Sequence, residues 1–451
     1  MNKSVAVIGA GPVGLAAAAH LLERGLEPIV LEAGPQPGHA VRQWSHVRLF
    51  SPWEYNVDKA ARRLLDETGW NSPDPDSYPT GGELVEHYLE PLASKTVLRE
   101  RIHTSAKVTG LSRVGFDKVK TQGRGEASFD VRYRNGAGEL TLKADAVIDT
   151  SGTWLSPNPA GANGLPAIGE SDLRAHIAYG MPDVLGVQRE RYAGKHVAVL
   201  GAGHSAVGTI IDLVKLADAA PDTAITWLVR SNDPARSFGG GANDKLKARG
   251  ELGAMLASLV EQERVQVESG FRVSNMTSSG GRLRIGAGSA CCGQSLLVDE
   301  LVVATGFRPD LSFLSEIRLG LDPALECPPI LAPLIDPNEH SCGTVRPHGA
   351  RELSQPEPGF YFAGMKSYGR APTFLMLTGY EQVRSIAAEL AGDFDAARRV
   401  ELVLPETGVC NLSASAKQGE CCGGPAITEA SACCVADEKA KQTGASGCGC
   451  S

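Results

Sequence analysis

Short runs of four or five apolar residues, rich in valine and isoleucine, recur along the chain, and each breaks at a glycine-containing turn. The first is V-A-V-I at residues 5–8, followed by Gly9-Ala10-Gly11-Pro12-Val13-Gly14, the helix-like stretch L-A-A-A-A-H-L-L-E-R, Gly25, and a second run, P-I-V-L, closed by Glu32. Strand, glycine turn, helix and acid-terminated strand in this register predict a dinucleotide-binding βαβ unit. Gly9 permits the tight turn, Gly11 lets the backbone approach a pyrophosphate, and Gly14 lets the helix lie close on the sheet. The free N–H groups at the helix N-terminus hold the phosphate charge, with Pro12 among the cofactor-binding residues. Glu32 is placed to accept hydrogen bonds from a ribose diol.

The same theme returns at H-V-A-V-L, residues 196–200, with Gly201-Ala202-Gly203-His204-Ser205-Ala206, a helical stretch, and the strand A-I-T-W-L-V closed by Arg230. A basic residue where the first unit has its acid accommodates a 2′-phosphate, so this second unit is read as an NADPH site, with Arg236 and the loop Phe238-Gly239-Gly240-Gly241 nearby. The other reading of Arg230 is a solvated strand end.

Between the units the pattern changes to alternation. A-K-V-T-G-L-S-R-V, S-F-D-V-R-Y-R and E-L-T-L-K, with an Asn135-Gly136 turn, predict an antiparallel meander within residues 102–148. It runs into A-V-I-D and the turn Thr150-Ser151-Gly152, a strand expected to rejoin the first sheet and set Gly152 beside its ligand. Helical patterns are expected near residues 57–67, 82–92 and 244–263, and a second meander over 265–285. L-V-V-A-T-G-F-R-P-D, residues 301–310, reads as a buried strand breaking at Thr305-Gly306 where the chain crosses back to the first domain. F-Y-F-A-G then ends at Gly364 and leads into a helix from about Phe374. The expected architecture is α/β, with two Rossmann-like, three-layer ββα domains: a discontinuous first domain at residues 1–190 and 301–404, an inserted second domain at 191–300, and a mobile tail at 405–451 that lacks periodicity.

A chain of 451 residues is long enough for such an assembly, and a net charge of −8 without a long basic run argues against nucleic acid as a partner. No stretch is apolar enough to span a membrane, and a cytoplasmic location is expected. The eleven cysteines are placed unevenly: none precedes Cys291, and Cys410, Cys421, Cys422, Cys433, Cys434, Cys448 and Cys450 crowd the tail. Thiolates are soft ligands, and paired cysteines on one chain favour a second and third bond to a thiophilic centre. Zinc is disfavoured by the lack of a C-x-x-C repeat. Idle cysteines in a disordered tail are the alternative. Cys342, between His340 and His348, is either a reactive thiol, the one catalytic candidate, or a buried structural cysteine. Cys291-Cys292 is either part of a thiophilic site or a chance pair, and His20 is read as a packed or surface histidine. Arg42 to Asn56 is rich in aromatics, and Trp44, Phe50 and Trp53 serve either a ring ligand or the core.

Gly9, Gly11, Gly14 and Glu32, with Gly201, Gly203, Ala206 and Arg230, Ala304-Thr305-Gly306 and Phe362-Ala363-Gly364, resemble the two-dinucleotide-binding-domain flavoproteins over about residues 1–390. Within that superfamily the chain resembles the flavin-containing monooxygenase group and, more narrowly, flavoprotein monooxygenases of bacterial arsenic-resistance gene clusters. The resemblance implies FAD in the first domain and NADPH in the second, with electrons passing from nicotinamide to flavin and O2 as co-substrate. A soft small-molecule substrate, a thiol or an arsenical, is implied with it, and paired-cysteine tails resemble those of some arsenic-resistance proteins. The oligomeric state is left open, a homodimer being compatible. Only His176 and Tyr179 match the monooxygenase signature before the second fingerprint, and Gly364-Met365 replaces the glycine–aspartate pair of disulfide reductases. No C-x-x-C or C-x-x-x-x-C is present, which weighs against a thioredoxin-reductase-type mechanism. A metalloid or disulfide reductase using tail cysteine pairs and a metalloid-sequestering protein on a flavoprotein scaffold are the alternatives.

Overall fold

The computed structural model of the chain describes residues 3–234, 247–288, 293–338, 345–372 and 374–402. Arg236, the 238–241 loop, Cys291, Cys292, His340, Cys342 and all seven tail cysteines lie outside the described residues.

The first sheet is wholly parallel. Its strands are β1 (Ser4–Ile8), β2 (Glu27–Leu31), β3 (Ile102–His103), β7 (Ala146–Asp149) and β16 (Phe360–Phe362), in the order β16-β7-β1-β2-β3. Alternation along β1 explains how both faces are covered. Val5 and Val7 point to the helices, while Ala6 and Ile8 point to the antiparallel meander of β4 (Lys107–Arg113), β5 (Phe129–Asn135) and β6 (Gly138–Ala144). The helix Pro12–Glu23 lies on the sheet with Leu15 through Ala19 at 0% exposure, and its run of alanines lets the helices at 59–66 and 376–390 pack against it. His20, in the same helix, is buried and hydrogen-bonded through Nε2 to Asp58 Oδ2 at 3.0 Å, so it is a packed histidine.

The second sheet repeats the plan in the order β11-β10-β9-β15-β8, from β8 (Ile177–Tyr179), β9 (His196–Leu200), β10 (Ala224–Leu228), β11 (Gln266–Glu268) and β15 (Glu300–Val303). Val197 and Val199 face the helices His204–Ala219 and Lys247–Glu261, and Ala198 and Leu200 face the meander of β12 (Val273–Ser279), β13 (Arg282–Ala287) and β14 (Gln294–Val298). Each unit is thus a sheet between helices and a meander, the three-layer arrangement expected.

Several expectations need correction. Ile102–His103 pairs with β2 in the parallel sheet and is not part of the meander. Likewise the 265–268 segment joins β10, and the second meander runs on to Val298. The strand expected at the crossing back, β15, pairs with β9 and β8, so the second sheet takes in residues on both sides of the 190/191 and 300/301 boundaries. These are strands of two to four residues, too short for periodicity to distinguish from their surroundings. The return to the first domain comes after Thr305-Gly306.

The return is fastened by charge. Glu357, buried before β16, receives Arg113 Nε at 2.9 Å and Arg124 Nη2 at 2.8 Å, and Arg318 donates its backbone N–H at 3.2 Å. Burial opposes ionisation of this carboxyl, but the hydrogen bonds from Arg124 and Arg113 prevail and hold its pKa below the usual range.

Candidate functional site

Both glycine turns lie at the carboxyl ends of their sheets, where parallel α/β folds bind ligands. Gly9 has φ +102° and Gly201 φ +140°, conformations that side chains rarely adopt. Beyond the first turn, a Cβ on Gly14 would stand 1.9 Å from the Gly9 carbonyl oxygen, so only glycine permits that helix–strand approach. In the second unit Ala206 takes this position and is fully buried.

Gly11 and Gly203 differ from these. Each caps its helix with extended backbone and no side-chain hydrogen bond, and a Cβ on either would meet nothing within 4 Å. Neither helix carries an acidic residue in its first turn, so the positive dipole ends are not neutralised by their own sequence. That combination suits a phosphate at each turn.

The two turns open onto one cavity of about 1490 Å³. Pockets for one drug-sized ligand run to roughly 300–1,000 Å³, so there is space for more than one such molecule. Every residue expected at a cofactor lines it except Gly14 and Ala206, which lie behind the turns. Glu32 sits at the end of β2 with both carboxylate oxygens engaged: Oε2 accepts from Ala10 N at 2.7 Å and Oε1 from Gly34 N at 2.8 Å. It braces the turn, and the second lone pair of each oxygen is what a diol would use. Arg230 is exposed at the cavity wall, and among the described residues its guanidinium makes one long contact, Nη1 to Ala162 O at 3.5 Å.

The segment between the two cradles is clasped. Asn158 donates from its side chain to Thr305 O at 3.0 Å and from its backbone to Gly306 O at 2.9 Å, and Arg308 Nε donates to Asn158 Oδ1 at 2.8 Å. Aromatic rings line the cavity here. Trp154 lies 4.7 Å from Phe307 and 6.3 Å from Trp44, centroid to centroid, and Phe50 meets His204 edge-on at 5.3 Å. Trp44 and Phe50 therefore face the cavity, whereas Trp53 belongs to the core. His176 and Tyr179 do not line it: His176 Nδ1 pairs with Asp299 O, and the Tyr179 hydroxyl donates to Glu170.

Gly364 is held from behind. Its N–H donates to Gln382 Oε1 at 2.8 Å, and the Gln382 amide donates to Ser367 Oγ at 2.9 Å and to His348 Nε2 at 2.8 Å. His348 Nδ1 pairs with Arg346 O, so the ring is the neutral tautomer protonated at Nδ1, and burial pushes its pKa down. Sequence reasoning missed Gln382 and the fully buried pair Asp149–Lys366, with Nζ 2.7 Å from Oδ2. The available signal was a charge ending each of two otherwise apolar runs, A-V-I-D and F-Y-F-A-G-M-K.

Among the described residues no cluster of three His, Cys, Asp or Glu side chains is arranged to hold a metal ion, and no thiol lines the cavity. Cys327 is buried in the core with its pKa pushed up to about 12 by burial, an inert thiol. No helix among the described residues is long and apolar enough to cross a membrane.

A flavin-containing monooxygenase, FMO GS-OX-like 2 of Arabidopsis thaliana, is 24% identical over 237 residues, covering 48% of each chain. The chain spans about half the length, or less, of the curated relatives it matches. Among solved structures, bacillithiol disulfide reductase of Bacillus cereus superposes with a TM-score of 0.62 at 19% identity, over 87% of this chain and 99% of that one. The FAD-bound cadaverine monooxygenase of desferrioxamine biosynthesis from Erwinia amylovora gives 0.60 at 14% identity, over 95% and 100%. At these identities the likeness is one of fold. Residues 6–327 match the family described as pyridine nucleotide-disulphide oxidoreductase, and the chain belongs to that family.

Proposed function

We propose that this chain is an NADPH-dependent FAD monooxygenase acting on a soft, thiophilic small molecule, most specifically an arsenical. FAD would lie in the first cradle, held by Gly9, Gly11, Pro12, Glu32, Gly152 and Gly364. NADPH would lie in the second, held by Gly201, Gly203, His204, Ser205 and Arg230, with Thr305-Gly306 between the two. The observation that carries this reading is that Gly11 and Gly203 open onto the same cavity, where two ring systems could meet. Bound there, FAD would supply the redox chemistry between the nicotinamide and O2. The chain positions the rings, excludes water with Trp44, Trp154 and Phe307, and meets a 2′-phosphate with Arg230.

The substrate class rests on the seven tail cysteines, which suit capture or delivery of a thiophilic centre.

The absorbance spectrum of the purified protein, followed by titration with NADPH and NADH, is the first test. A flavin spectrum bleached by NADPH in preference to NADH supports the reading, and protein without flavin overturns it. NADPH-driven reduction of pentavalent arsenic or of a disulfide by the enzyme without O2 would replace the monooxygenase with a reductase.

A further inference from the structure

We infer that Ser151 is a cofactor-orienting residue: Lys366, paired with Asp149, holds the Ser151 hydroxyl so that its proton points into the cavity, as a donor to FAD in the first cradle. This rests on the flavin reading above and adds to it a residue chosen from geometry alone.

Asp149 ends β7 and Lys366 lies in the turn after the adjacent strand β16, both with fully buried side chains. The groups form a closed ring. Ser151 N–H donates to Asp149 Oδ1 at 3.0 Å, and Lys366 Nζ donates to Ser151 Oγ at 2.9 Å while pairing with Asp149 Oδ2 at 2.7 Å. A second hydrogen bond from Nζ goes to Asp310 O at 2.8 Å, and the faces of Phe313 and Phe362 lie 4.6 and 5.8 Å from Nζ.

Two consequences follow. Lys366 is fully buried, its hydrogen bonds run to Ser151 Oγ and Asp310 O, and it does not line the cavity, so it is not itself a ligand contact. Ser151 Oγ accepts from a cation, which directs its own proton away from Nζ. Ser151 is exposed at the cavity wall between Thr150 and Gly152, and among the described residues no protein acceptor meets that proton. A buried ion pair is weak evidence for stability, since desolvation offsets much of its attraction. Its placement directly behind a cavity-lining hydroxyl fits an orienting role better than a purely structural one. Lys366 is accordingly a positioning residue, and Ser151 is the contact.

The test is FAD affinity and the spectrum of the bound flavin, measured on the full chain after flavin removal and back-titration with FAD. Ser151→Ala keeps the ion pair and is expected to raise the FAD dissociation constant about tenfold and shift the flavin absorbance, with the melting temperature of the flavin-free protein unchanged. Ser151→Thr keeps the hydroxyl and is expected to restore affinity. The double variant Lys366→Met, Asp149→Asn leaves no buried charge and is expected to lose affinity in the same direction as Ser151→Ala. Ser151→Ala protein that binds FAD as tightly as wild type, with an unshifted spectrum, overturns this inference alone. Wild-type protein that takes up no FAD overturns the flavin reading and this inference with it.

Discussion

Adding one methyl group to Gly11 or to Gly203 separates the two cradles experimentally. Both residues have ordinary extended backbone, at φ −78° and −89°, and a Cβ at either meets no atom within 4 Å. Alanine therefore brings no strain. Its smaller unfolded-state entropy favours the fold by about 0.4–1 kcal/mol, and its poorer capping costs a similar amount. The two nearly cancel, and the melting temperature should move by no more than about 3 °C. Binding is affected very differently, because the methyl occupies the space through which backbone N–H groups approach a phosphate. Charge-assisted hydrogen bonds contribute roughly 1.5–3 kcal/mol each, so weakening one or two costs about 3 kcal/mol, or about a hundredfold in affinity. Gly11→Ala should purify with little flavin, whereas Gly203→Ala should be yellow yet require about a hundredfold more NADPH for half-maximal bleaching. Gly14→Ala is the contrasting control: its Cβ would collide with the Gly9 carbonyl at 1.9 Å, and it should cost about 3 kcal/mol of folding stability. If Gly11→Ala keeps a full complement of flavin and Gly203→Ala is reduced at wild-type NADPH concentrations, the turns are not phosphate cradles and the reasoning is wrong.

Other outcomes follow from the same geometry. Arg230→Ser should raise the NADPH concentration needed for half-maximal reduction about tenfold and leave that for NADH unchanged; equal effects on both would remove the 2′-phosphate role. Glu357→Gln leaves Arg113 and Arg124 facing each other without their counter-charge and should cost about 3 kcal/mol in denaturant unfolding. Because the Glu357 pKa is depressed from an ordinary 4.5, its contribution is present above that pH and lost as pH falls through the folded value, and the variant should lack this part of the acid limb. His348 works with the same sign for a different reason. Burial lowers its pKa from 6.5, so the unfolded chain takes up the proton first, and stability should fall as pH drops below about 6.5; His348→Gln should flatten that slope in melts between about pH 5 and 7. Truncation after Leu404 should abolish arsenite binding in equilibrium dialysis while NADPH oxidation survives, and retained binding would sever the tail from the substrate.

What could be read in the chain beforehand was what lies close together in it. Gly9, Gly11 and Gly14 sit on one turn, and the alternation of Val5 and Val7 with Ala6 and Ile8 marks a strand covered on both faces, so each cradle appears as a local pattern. The edges of the sheets were illegible for the converse reason. Ile102–His103 and Gln266–Glu268 are strands only because β2 and β10 offer them hydrogen-bonding edges, and no two- or three-residue run carries a period. The charges around the first cradle were hidden more deeply. Asp149 reads as the polar end of an apolar strand, and Lys366 as one more basic residue in a loop. Neither predicts the other until β7 and β16 pair in the register Phe362 opposite Asp149, which brings the turn after one strand over the end of the next. A motif of adjacent residues can build a phosphate cradle, since that requires only backbone and the absence of side chains. Orienting a hydroxyl such as that of Ser151 requires side chains from separate strands, so the features that would distinguish this chain from others of its fold reside in contacts that only the folded chain assembles.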